Sequence, residues 1–321
     1  MLSRRRFLKT GSASALLACF PASLAGMRRE KRNGQIEKRN LGRTGEKLSM
    51  IGFGGIVVMN ATTREAADRV AEAVDFGVNY FDVAPSYGNA EEMLGPALRP
   101  YRDRVFLACK TQARDRAGAL EELENSLRRL QTDHFDLYQF HAVTKRSDAE
   151  KILAPGGALE AFLQAREQGK IRFIGFSAHS VEAALILLQG FEFDTILFPI
   201  NYATWHRGNF GPQVLEEARR RNMGILALKA MARGPWPEGA ERRYTKCWYE
   251  PFDTPEEAAL GLRFTLSHPV TAAIPPGDEN LFRMALRLAL EFEPLDEATT
   301  QEIKSLAAAN QPLFRYPSAE A

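Results

Sequence analysis

The sequence predicts an α/β protein: a single (β/α)8 TIM barrel spanning residues 41–310. Three observations point there. Short apolar runs alternate with helical patterns eight times along the chain. The runs are apolar throughout rather than at every second position, which is how strands read when helices cover a parallel sheet. Single polar residues close several of the runs, and in a barrel such strand ends open onto one rim.

Taken in order, residues 51–54 read as the first strand and 64–76 as its helix, with Ala67, Val70, Ala71 and Val74 at a 3.6-residue period. Strand 79–83 precedes helix 91–98. Strand 105–110 precedes helix 116–130, whose Leu120, Leu123, Leu127 and Leu130 share one side. Strand 135–141 leads to helix 159–168, strand 171–177 to helix 181–189, and strand 195–199 to helix 213–221. Strand 225–229 is followed by a loop of roughly twenty residues, rich in Pro, Gly and aromatics, and then by helix 255–265. Strand 271–274 precedes helices 279–290 and 296–307, and 311–321 reads as a polar tail. A doubly wound dinucleotide fold would require G-x-G-x-x-G between an early strand and its helix. Gly52, Gly54 and Gly55 have the wrong spacing, and the next helix begins late.

Composition narrows the function classes. Hydrophobic residues make up 45% and charged residues 26%, an ordinary globular balance. A net charge of +2 creates no global field that would favour a nucleic-acid partner. Cys19, Cys109 and Cys247 lack the spacing of a zinc or iron–sulfur site, so no metal is expected. No coiled-coil pattern or broad apolar stripe is present, and a monomer is expected.

Residues 1–26 do not read as fold. Ser3-Arg4-Arg5-Arg6-Phe7-Leu8-Lys9 precedes a short apolar stretch, 13–24, with small residues at its end. This is the build of an export signal and resembles the twin-arginine type. It implies the twin-arginine machinery as a partner and an exported, periplasmic or otherwise extracytoplasmic location. Membrane contact is expected only transiently, or through an uncleaved signal or a lipid anchor at Cys19. Cleavage after Ala25 is the simplest outcome, and 27–40 reads as a basic linker.

Four polar side chains form a candidate reactive set. Asp82, Lys110 and His141 close three strands, and Tyr87 follows the first of them in D-V-A-P-S-Y-G. Separately, each has a plain reading as a cap, a packing residue, a solvated cation or a structural histidine. Together at one rim they suit carbonyl reduction, which needs a proton for oxygen and a hydride for carbon. A tyrosine with a pKa near ~10 holds its proton too tightly. A neighbouring ammonium such as Lys110 is expected to lower that value. Asp82 would hold the ammonium in place, and His141 would orient the substrate oxygen and share in proton delivery. Tyr87 is then the general acid in reduction and the base in oxidation.

The segment Phe81–Gly95, F-D-V-A-P-S-Y-G-N-A-E-E-M-L-G, resembles the aldo-keto reductase signature D-x-A-x-x-Y-G with E-x-x-L-G downstream. L-A-C-K-T (107–111) resembles that family's lysine strand and D-L-Y-Q-F-H (136–141) its histidine strand. The resemblance covers residues 41–290. It implies an aldo-keto reductase type barrel that moves a hydride between a nicotinamide cofactor and an aldehyde, ketone or alcohol, with NADP(H) preferred over NAD(H).

The same resemblance implies a cofactor site. Ser177, in G-F-S-A-H, stands where the family holds the nicotinamide amide, but Ala178 replaces the usual Asn and His179 is a possible substitute. Asn201 is either a second amide partner or a turn cap. Lys229 is placed to meet a cofactor phosphate. Ile274-Pro275-Pro276-Gly277 resembles the phosphate loop, with Pro276 and Gly277 at its turn and Arg283 as a candidate 2′-phosphate partner. Trp205, His206, Trp236 and Tyr244 are expected on the substrate wall, with Ile56, Val57 and Met59 beside them. Two other readings stay open: a catalytically weak barrel acting as a binding or regulatory protein, and an isomerase or hydrolase on the same fold.

Overall fold

Eight parallel strands form one sheet in the order β3 (Phe53–Gly54), β4 (Tyr80–Asp82), β5 (Phe106–Thr111), β6 (Phe135–Val143), β7 (Ile171–Ala178), β8 (Thr195–Pro199), β9 (Gly224–Leu228) and β12 (Ala272–Ile274). The sheet closes on itself where Gly52 N–H donates to Ala273 O and Ala273 N–H to Met50 O, both at 2.9 Å. The (β/α)8 barrel is therefore the observed fold. The computed structural model describes residues 34–317. The expected export signal, its Cys19 and the first half of the linker lie outside the described residues, as do the last four residues of the tail. Among the described residues no helix is long and apolar enough to cross a membrane.

Side-chain alternation splits the core in two. One face of the strands packs Phe53, Phe81, Cys109, Tyr138, Phe140 and Phe176 against the surrounding helices. The other face fills the barrel with Tyr80, Phe106, Ala108, Leu137, Leu197, Leu226, Ala272 and Ile274. Leu41 and Leu48 join this interior group from an antiparallel hairpin, β1 (Lys38–Asn40) with β2 (Lys47–Ser49), and plug its N-terminal end. The expected linker therefore gives its last residues to folded structure. Ile36 is already buried.

The outer helices are α1 (Thr63–Asp75), α2 (Ala90–Leu98), α3 (Arg116–Leu130), α4 (Arg146–Leu153), α5 (Ala158–Glu167), α6 (Val181–Gly190), α7 (Tyr202–Gly208), α8 (Pro212–Arg220), α9 (Pro255–Ser267), α10 (Glu279–Leu290) and α11 (Glu297–Ala309). Side-chain caps start many of them. Thr62 and Glu65 form a full capping box on α1, and Asp115, Ser180 and Asp278 cap α3, α6 and α10. Gly95, within the signature segment, serves packing. A Cβ there would stand 2.6 Å from Leu130 O, so glycine lets α2 approach the end of α3.

Three features differ from the sequence reading. Helices α4 and α7 are too short to show a clear period. The long loop pairs with itself through β10 (Ala232–Gly234) and β11 (Glu250–Pro251). The polar tail is docked through residue 316: Tyr316 N–H donates to Gly208 O at 2.7 Å, and Phe314 stacks on Phe210.

Candidate active site

Strand alternation sends Tyr80 and Asp82, Ala108 and Lys110, and Leu137, Gln139 and His141 toward the barrel axis. Their lower members are apolar and their upper members polar. Lys110 and Asp82 are both buried and form an ion pair. Asp82 has two further donors on its other oxygen, Gln139 Nε2 at 2.9 Å and Tyr80 OH at 3.2 Å. Lys110 also donates to Val83 O at 3.3 Å and to the Tyr87 hydroxyl at 3.5 Å. Burial opposes the charge on Lys110, but the carboxylate of Asp82 and the nearby Tyr87 outweigh it, and the net shift is upward. Lys110 is a fixed cation.

Tyr87 sits on the turn after β4, where its backbone N–H donates to Ala84 O at 3.0 Å. Burial raises its pKa, and the pull of Lys110 only partly offsets this. The expected net lowering is therefore corrected: without a substrate, Tyr87 is a firmly protonated phenol facing an ammonium. Edge-on to it stands His141, with ring centroids 5.6 Å apart. Burial, then the charge of Lys110, the neighbouring His179, and the cations Arg114 and Lys229, lower His141 to about 2. It is a neutral imidazole, and its Nδ1 lies 3.3 Å from Ser86 Oγ. A neutral ring can orient an oxygen by hydrogen bonding but has no excess proton to deliver.

His141 is aimed by a bulge. The β6–β7 register shifts between Phe140 and Val143, and Ala142 adopts a left-handed φ of 50°. Ser177 Oγ accepts from the Ala142 N–H at 2.7 Å, and Arg114 donates to His141 O at 2.7 Å. Ser177 thus lies at the site and braces the histidine.

Asp82, Tyr87, Lys110, His141 and Ser177 share one cavity at the C-terminal rim with His179, Lys229, Pro276 and Gly277. His179 is held near pKa 3 by burial and by Lys229, so it too is neutral. Ile56 joins the wall as expected, and Gly277 packs so tightly on it that a Cβ would collide. Lys229 takes a left-handed φ of 68° and directs its ammonium over the rings of Trp248 and Tyr249. Asp278 caps α10 through Asn280 N–H and Leu281 N–H at 2.9 and 3.2 Å, so those amides are already engaged.

The remaining expected residues fall elsewhere. Asn201 is the turn cap, not an amide partner. Its Oδ1 accepts from Ala203 and Thr204 N–H, and its Nδ2 donates to Lys229 O and Ala232 O at 3.0 and 2.8 Å. Arg283 is tied to Glu72 at 2.8 Å on the outer helices. Trp205 and His206 pack outside the barrel against Phe264 and, for Trp205, His268. Trp236 donates to Cys247 O at 3.0 Å and Tyr244 to Asp253 at 3.3 Å, so both brace the long loop from within. That loop offers Lys246, Trp248 and Tyr249 to the cavity instead. Gln139 and Tyr80 were also missed, though both were readable: each lies two residues before an inward polar strand end, on the same face.

A sequence profile described as "Aldo/keto reductase family" matches residues 50–307. The chain is 34% identical to "Aldo-keto reductase YhdN" of Bacillus subtilis over 166 residues, 46% of this chain and 48% of that protein. It is 28% identical to "L-galactose dehydrogenase" of Arabidopsis thaliana over 219 residues, 62% of this chain and 67% of that one. The match to YhdN thus spans about half the length of that curated relative. Among solved structures, the holo form of aldo-keto reductase AKR11C1 from Bacillus halodurans superposes with a TM-score of 0.69 at 24% identity, covering 86% of this chain and 98% of that one. The profile match spans the barrel from its closing strand to α11, and on that ground the chain belongs to the aldo/keto reductase family.

Proposed function

We propose that the chain is a nicotinamide-dependent oxidoreductase that reduces an aldehyde or ketone to an alcohol, or runs the reverse. One observation carries the reading: Lys110 is ion-paired to Asp82 and 3.5 Å from the Tyr87 hydroxyl, with the His141 ring beside it, all facing one cavity. The wall residues suit a dinucleotide. Lys229 and Lys246 supply cationic groups, and the glycine at 277 leaves room only for backbone against Ile56. They, rather than Arg283, support a preference for NADP(H) over NAD(H). When bound, the nicotinamide supplies or accepts the hydride.

The chain's own residues handle the proton. Tyr87 OH donates to the developing alkoxide, and Lys110 stabilises the phenolate left behind. Asp82 keeps Lys110 charged and in place, held in turn by Gln139 and Tyr80. Ser86 donating to His141 Nδ1 would leave Nε2 carrying the proton, free to donate to the same oxygen. Two fixed donors at a developing oxyanion each contribute about 3–4 kcal/mol in favourable cases. Ser177 and His179 stand on the wall where an amide would be held.

The test is titration of the purified chain with NADPH and NADH, followed by cofactor fluorescence. Submicromolar to micromolar binding of one of them, then its oxidation by members of a carbonyl panel, is the expected result. Binding of neither below millimolar concentration rejects the reading. The motif at residues 3–9 supports an exported location as part of the same proposal. Cell fractionation of the full chain against an Arg4→Lys/Arg5→Lys variant checks it. Unchanged distribution would reject the twin-arginine route.

A further inference from the structure

We propose that Lys229 is a nucleophilic amine that captures aldehydes reversibly as imines when no anion is seated against it. The inference rests on the reading of this cavity as a carbonyl site. Three lysines line it, and only one is uncommitted. Lys110 is ion-paired to Asp82, and Lys246 donates to Val57 O at 3.2 Å. Lys229 makes no ion pair or hydrogen bond through its ammonium among the described residues. Two aromatic faces lie against it, with Nζ 4.9 Å from the Trp248 centroid and 4.6 Å from that of Tyr249, and the Cys247 thiol and the neutral rings of His179 and His141 are the titratable groups that face it.

The backbone holds this arrangement in place. Lys229 adopts a left-handed conformation that non-glycine residues rarely take. Its carbonyl is pinned by Asn201 Nδ2 at 3.0 Å and by Ala232 N–H at 3.0 Å. The turn throws the side chain into the cavity that also holds Tyr87 and His141. Aromatic faces attract a cation but do not replace its lost water or supply a counter-charge. Lys229 is half-buried, and the partial loss of water lowers it to about 8. At neutral pH it then carries roughly 200-fold more free amine than a lysine at its ordinary value near ~10.4.

The step is a simple condensation. The lone pair on neutral Nζ attacks the aldehyde carbon, and the carbonyl π pair moves to oxygen. A proton passes from nitrogen to that oxygen to give a carbinolamine. Loss of its hydroxyl as water forms the C=N bond. Amine and aldehyde give imine and water, with no oxidant or reductant. A phosphate against Lys229 would keep it protonated and suppress capture, so cofactor and aldehyde adduct exclude each other at this side chain.

The experiment treats the purified full chain, without added cofactor, with benzaldehyde and sodium cyanoborohydride across a pH series. Benzylated lysines are then located by peptide mass spectrometry. Lys229 is expected to react at least about tenfold faster at neutral pH than exposed Lys47 and Lys151, with a midpoint near 8. NADPH or inorganic pyrophosphate should slow it, and Trp248→Ala should move the midpoint upward by readmitting water. Lys229→Arg should abolish the fast site while circular dichroism confirms the fold. Labelling of Lys229 no faster than Lys47 and Lys151 overturns the proposal. Fast labelling in a chain that binds no nicotinamide cofactor would sink the reductase reading alone. Cofactor binding with an unreactive Lys229 would sink this inference alone.

Discussion

The Lys110 ammonium stands 3.5 Å from the Tyr87 hydroxyl while Asp82 holds it from behind. The phenol therefore faces a charge that cannot move away, and proton transfer to a substrate oxygen leaves a phenolate beside a buried ammonium. Removing the donor should remove most of the rate. Tyr87→Phe is expected to lower kcat by about 100- to 10,000-fold, with cofactor affinity nearly unchanged. Unchanged turnover in that variant would reject the role given to Tyr87.

The same geometry fixes a pH profile. Tyr87 is raised above its ordinary value, so it keeps its proton through neutral pH. Reduction should be flat there and decline only at strongly alkaline pH, whereas alcohol oxidation should rise with pH. His141, near 2, adds no step. An inflection near the ordinary histidine value of about 6.5, lost in His141→Gln, would contradict the neutral imidazole.

Asp82→Asn leaves the Lys110 ammonium buried without a counter-charge. Stability should fall by about 3–5 kcal/mol, read by denaturant unfolding. The raised pKa of Lys110 means that the wild-type pair contributes fully below the ordinary lysine value. That contribution fades as the pH rises through the raised one. A loss below about 1 kcal/mol would show that the pair is not the buried contact described.

His141 and His179 carry folded pKa values near 2 and 3. Below the unfolded value the denatured chain binds protons that the folded chain refuses, so stability falls with pH. Each contributes at most about 1.4 kcal/mol per pH unit between roughly 6.5 and its folded value. His179→Gln should flatten the acid limb of stability against pH. An unaltered slope would count against a buried neutral His179.

Asn201 separates a structural role from a cofactor role. It caps α7 and pins the turns at Lys229 and Ala232, and Asn201→Ala strands the Ala232 carbonyl and two amides, while Lys229 O keeps the Ala232 N–H. A loss of about 2–4 kcal/mol in unfolding free energy is expected. A variant of full stability with weakened cofactor binding would restore it as an amide partner.

Much of this site was legible along the chain, because strands and helices announce themselves through local period and a barrel brings all strand ends to one rim. Asp82, Lys110, His141 and Ser177 each close or nearly close an apolar run, and their convergence follows from the alternation of side chains in a barrel, with the bulge at Ala142 adding the aim of His141. Tyr87 follows from its fixed distance to Asp82 in a tight turn. Other residues depend on partners far away in sequence. Arg283 was open to a phosphate until Glu72, 211 residues away, took it. Asn201 had its amide filled by carbonyls 28 and 31 residues on. Trp236 and Trp248 both lie in the loop after β9. Only the pairing of β10 with β11 turns one toward the loop's own backbone and the other over Lys229. The sequence by itself determined the barrel and the polar set at its strand ends, since period and alternation are local properties. The tertiary structure decided which side chains remained free to face the cavity, since a hydrogen-bonding group is spent on whichever partner the fold brings nearest.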